Sequence, residues 1–64
     1  MSDYEEKDAF ARYMRRLRLV AACETYSPET KPEMFDAVLR QASDDAAISV
    51  QSFVALCVNA YAWR

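Results

Sequence analysis

The chain is predicted to fold as an all-α, compact three-helix bundle with helices near 3–25, 32–42 and 46–62. Three observations predict it. Apolar residues recur in steps of three and four rather than in strict alternation. Two stretches open on the capping-box pattern of a hydroxyl residue followed three positions later by glutamate. The chain has no glycine, so the positive-φ turns that join two-residue hairpins lack their usual residue. At 64 residues the chain is expected to be one small domain, because so short a chain cannot hold two cores.

The first helix is expected to begin at Ser2, with Glu5 completing the box. Asp3, Glu5 and Glu6 suit the positive end of the helix dipole. Phe10, Tyr13, Met14, Leu17, Val20 and Ala21 trace its apolar face. The helix is expected to stop near Thr25, since Pro28 disfavours helical geometry at Ser27. Thr30 is expected to cap the second helix, with Pro32 in its first turn and Glu33 completing a second box. Met34, Phe35, Val38, Leu39 and Ala42 form its buried stripe. Asp44 and Asp45 mark the next break and read as capping residues rather than as a catalytic pair or metal ligands.

The third helix is expected to start between Asp45 and Ser49. Val50, Phe53, Val54, Cys57 and Tyr61 share a face, flanked by Leu56, Ala60 and Val58. Its apolar arc covers about 200°, against roughly 100° for an ordinary surface helix. Two short helices in the same chain cover about half of such an arc. No charge occurs from Ala46 to Trp63, yet Ser49, Gln51, Ser52 and Asn59 interrupt the run, which argues against a membrane span.

Composition removes most chemistry. With no glycine there is no phosphate-cradling loop, dinucleotide fingerprint or EF-hand. With no histidine there is no Ser-His-Asp or Cys-His pair and no imidazole ligand. Cys23 and Cys57, the two cysteines, are a weak disulfide framework and too few to hold a metal. Cys57 reads as inert core. Met1 to Asp8 is acidic rather than basic then apolar, unlike a signal peptide. A cytoplasmic, reducing location with two free thiols is expected. No catalytic residue, metal or cofactor is expected. Leu, Ile, Val and Phe together number 13 of 64 residues, so the core is thin and the fold should draw on a partner or on self-association.

Two features carry the functional expectation. Arg12, Arg15, Arg16 and Arg18 cluster on the first helix, and Arg12, Arg15 and Arg16 are expected opposite its core face. They read either as a solvated face with intrahelical salt bridges or as a grip on an acidic protein surface or phosphates. Leu19 lies among them as an apolar anchor. On the third helix Phe53, Val54, Tyr61 and Trp63 read either as core or as partner anchors. A pI near 4.9 argues against nucleic acid, whose binding domains are basic. The expected function is a small non-enzymatic interaction module that binds and modulates or inhibits a larger protein. Its expected partner-binding residues are Arg12, Arg15, Arg16, Leu19, Phe53, Tyr61 and Trp63. Small regulators of this size class are frequent in phages and mobile elements. The alternatives are a structural subunit or homo-oligomer with the third helix buried, or a nucleic-acid-associated modulator using the arginines.

Overall fold

Helices α1 (Ser2–Ala22), α2 (Thr30–Asp44) and α3 (Val50–Trp63) make up the computed structural model, which describes residues 2–63. Each helix touches both others, as a three-helix bundle requires. The Lys31 Nζ donates to the Ala21 carbonyl (2.9 Å), and Arg16 bonds Gln41 at the other end of α2, so α1 and α2 run antiparallel. Ser49 and Ser52, at the start of α3, bond Glu6 near the start of α1. Helix α3 therefore runs parallel to α1. The bundle measures 39 × 17 × 15 Å.

The core is Ala9, Tyr13, Leu17 and Val20 from α1, Phe35, Val38 and Ala42 from α2, and Leu56 and Ala60 from α3. Phe10, Met14, Met34, Leu39, Phe53 and Trp63 pack half-buried around it. The expected faces of α1 and α2 are therefore the ones that point inward. The face of α3 is rotated from expectation. Leu56 and Ala60, expected on its flank, are the buried residues, while Val50 and Val54 point outward.

Helix boundaries differ from the sequence reading for local reasons. Helix α1 ends at Ala22, where the Cys23 N–H bonds the Val20 carbonyl in a tightened last turn. Lys31 then supplies a cation to its C-terminal carbonyls. Thr30 does not cap α2. Ser27 does: its Oγ accepts the Thr30 N–H (3.2 Å), and its carbonyl accepts the Lys31 N–H (3.0 Å). Pro28, expected only as a stop for α1, follows this cap in the first-turn position proline favours. The Ser2 capping box lies outside the described side chains.

Asp45 fulfils the expected turn role. Its Oδ1 accepts the Ala47 N–H (2.9 Å), and its Oδ2 accepts the Tyr13 hydroxyl (2.7 Å), tying the α2–α3 connection to the middle of α1. Helix α3 starts later than expected because Ser49 is its cap, with Oγ accepting the Ser52 N–H (3.2 Å). Glu6 reaches across from α1 and accepts both the Ser49 and Ser52 hydroxyls (2.9 and 2.7 Å). A carboxylate at this helix N-terminus also meets the positive end of the dipole.

These two carboxylates make the fold acid-sensitive. Hydroxyl donors from Ser52 and then Ser49 hold Glu6 below its ordinary value. The Ala47 N–H and then the Tyr13 hydroxyl do the same for Asp45. A carboxyl whose folded pKa is depressed contributes stability above its unfolded pKa, and that contribution is lost as pH falls through the folded value. Urea midpoints should therefore hold from pH 7 down to about 4.5 and then fall steadily toward pH 2. Glu6→Gln should flatten part of that fall, and an unchanged acid limb would contradict the clasp.

Candidate interaction surface

The sequence-predicted arginine patch divides in the structure. Arg16 leans toward α2, bonding Gln41 and lying over the Tyr13 ring with its guanidinium 5.6 Å from the centroid. Such a contact holds a cation by the quadrupole of the ring. Arg12 lies near enough to Asp45 for its charge to favour the carboxylate. Both are exposed, and Arg16 is oriented by groups of its own chain. Arg15 and Arg18 sit on the other side of α1, beside a shallow depression floored by Phe10, Ala11 and Met14. The arginines thus lie on two sides of α1 and do not form one grip.

Leu19 is 65% exposed, as its place among the arginines predicts. It borders a shallow groove with Val20, Ala22, Cys23 and Tyr26. Cys23 there is held below the ordinary thiol range, chiefly by hydrogen bonds from the Thr25 backbone and side chain, with Tyr26 and the Lys31 ammonium adding. The sequence hid the last of these partners, since Lys31 reaches the site only when α2 folds back. The sequence holds no histidine to pair with this thiol.

Helix α3 holds the stronger feature. Val50, Val54, Val58 and Tyr61 are 80, 53, 62 and 72% exposed. At 100° per residue these four fall within about 80° of one another. They form one apolar stripe along the outward side of the helix, opposite Leu56 and Ala60. Phe53 and Trp63, expected as partner anchors, instead pack half-buried against the core cluster. Of the expected α3 anchors, Val54 and Tyr61 face outward. Val50 and Val58 join them although they were not singled out as partner contacts. Helical spacing groups them with Val54 and Tyr61, and Leu56 and Ala60 take the inward side of the helix.

No charged residue lies on α3. Gln51 borders the stripe on one side, and Asn59, further round the helix, donates to the Ala55 carbonyl of its own helix (2.8 Å). The four residues are contiguous, whereas exposed apolar residues are ordinarily scattered singly. Among the described residues no group of three or more His, Cys, Asp or Glu side chains is gathered to hold a metal. None of the described helices is long and apolar enough to cross a membrane. No protein-family model matches the chain, and no curated protein or solved structure matches it.

Proposed function

We propose that the protein is a small, non-enzymatic protein–protein interaction module that binds a larger protein and modulates or inhibits it. The observation that carries the reading is the outward stripe of Val50, Val54, Val58 and Tyr61. Water-exposed apolar area of this shape is recovered as free energy only when another surface covers it. The mechanism is occlusion: the stripe seats in a groove of the partner, and Tyr61 supplies an aromatic anchor with a polar tip. Arg15 and Leu19, on the separate outer face of α1, set orientation at the rim, where arginine is favoured. The module works in the cytoplasm, where its two free thiols persist.

The test is affinity capture from source cells with quantitative mass spectrometry, after nuclease treatment. Wild type should retain a protein target in stoichiometric amount. Val54→Asp should lower recovery at least about tenfold, since placing a charge in a buried apolar contact costs more than about 1.4 kcal/mol. Arg15→Glu should weaken capture less and leave helicity unchanged. A target retained equally by Val54→Asp would remove the stripe from the reading. Recovery that disappears with nuclease would move the arginines and nucleic acid to the front.

A further inference from the structure

We propose, resting on the reading of the chain as an interaction module, that the depression on the outer side of α1 takes one helical turn of a protein partner. That turn carries two carboxylates beside a large apolar side chain. The site is separate from the α3 stripe and shares no residue with it.

The floor of the depression is apolar. Phe10 and Met14 pack half-buried against the core, with Ala11 beside them. They are held in place by the bundle, so an apolar side chain of a partner meets a preformed surface. The rim is Arg15 and Arg18. Both are exposed, and neither bonds another described residue. The other arginines of the cluster differ, since Arg16 bonds Gln41 and Arg12 lies near Asp45. Arg15 and Arg18 are three residues apart, a rise of about 4.5 Å along the helix. Carboxylates three or four positions apart on a second helix match that spacing. Each guanidinium fork can hold one of them with two parallel hydrogen bonds.

The charges around the depression limit what fits. Helix α1 has no acid from Ala11 to Ala22. Helix α3 has no charged residue along Val50–Trp63. Helix α2 packs on another side of α1, through the Arg16–Gln41 bond and the turn that Asp45 ties to Tyr13. Arg15 and Arg18 are therefore the only charges lining the depression. Acids bracket them along the chain. Glu6 and Asp8 come before them, with Lys7 between, and Glu24 follows the end of the helix. A nucleic acid runs past two arginines and meets those acids, on a chain whose net charge is −2. Its phosphates also leave Phe10 and Met14 without an apolar contact. Two carboxylates on one turn reach the arginines alone, and the apolar side chain between them covers the floor. An amphipathic helix laid in a groove is a recurring form of peptide recognition.

Selection from a random peptide library on the immobilised full chain tests this, with displayed peptides of about 16 residues. The selected sequences should converge on two Asp or Glu residues three or four positions apart, beside a Leu, Ile, Met or aromatic residue. The synthesised peptides should bind in fluorescence anisotropy and lose affinity as salt is raised. Arg15→Glu and Arg18→Glu, each checked for wild-type helicity, should weaken binding at least about tenfold. Val54→Asp should leave peptide binding unchanged.

A selection that enriches no sequence, or only sequences without paired acids, overturns the site. So do peptides bound equally well by the Arg15→Glu and Arg18→Glu chains. An oligothymidine of about 20 nucleotides that binds more tightly than the peptides makes the arginines a phosphate site instead. Target capture that is lost with Val54→Asp and unchanged in the Arg15→Glu, Arg18→Glu double variant removes the depression and leaves the interaction module standing.

Discussion

Phe35→Ala is expected to leave the chain largely unfolded at 25 °C. Phe35 is fully buried in the middle of α2, and with Leu17 and Leu56 it is one of the largest side chains wholly removed from water. Truncating a buried phenylalanine costs about 3–5 kcal/mol, from lost transfer energy and from the cavity left behind. A chain of this length has a total stability of about 3–10 kcal/mol. The lower part of that range applies here, because three of the nine buried core residues are alanines. Loss and total are then of the same size. Far-UV circular dichroism at low micromolar concentration should show most of the helical signal gone, with no cooperative urea transition. Phe35→Leu keeps much of the volume and should cost only about 1.5 kcal/mol, leaving a measurable transition. A Phe35→Ala chain that melts cooperatively within about 1 kcal/mol of wild type would mean that the core is elsewhere.

The architecture was legible because helix periodicity and the lack of turn residues point the same way. On α1 and α2 the inward faces follow from spacing, since each carries charge opposite its apolar residues. On α3 that contrast is missing. Val50 and Val54 are as apolar as Leu56, so no charged residue marks which way is out. What decides is the direction from which α1 and α2 pack: they enclose Leu56 and the small Ala60, leave Phe53 and Trp63 half-buried beside them, and leave Val50, Val54, Val58 and the larger Tyr61 at the surface. Capping was legible by type but not by position. Ser27 and Thr30 both suit a cap, and only the chain direction after α1 selects Ser27. The Glu6–Ser49–Ser52 clasp was illegible from spacing, because it joins residues more than forty positions apart.

The arginine cluster teaches the complementary lesson. Helical spacing alone places Arg12, Arg15 and Arg16 on one outer side. In the bundle, Arg16 is close enough to α2 to bond Gln41, and the Tyr13 ring lies beneath it. A long side chain lays its methylenes along a neighbouring helix while its head stays wet. A cluster read as a single functional patch thereby becomes two arginines directed toward the chain's own groups and two outside. An interaction surface on α1 is left to Arg15 and Leu19, smaller than the stripe of α3.

Ala42→Leu is expected to destabilise the protein by about 2 kcal/mol, although it adds apolar surface to an apolar site. Ala9, Ala42 and Ala60 are fully buried, one from each helix. Distances between packed helices depend on the side chains at the contact. An alanine with no exposure is covered by its neighbours, and three further carbons must displace some of them. Ala42 is further constrained because its carbonyl receives the Asp45 N–H, which begins the turn held by Tyr13. Leucine there must push α2 away from its neighbours or strain that turn. Ala37→Leu on the exposed side of the same helix is the control. Alanine and leucine have similar helix propensity, so it should change stability by no more than about 0.5 kcal/mol. Urea denaturation of the two variants separates packing from composition. If burial of hydrocarbon alone governed this core, Ala42→Leu would be the more stable of the pair. If close helix approach governs it, Ala42→Leu is the less stable, and the eleven alanines of the sequence count as spacing elements rather than as weak hydrophobes.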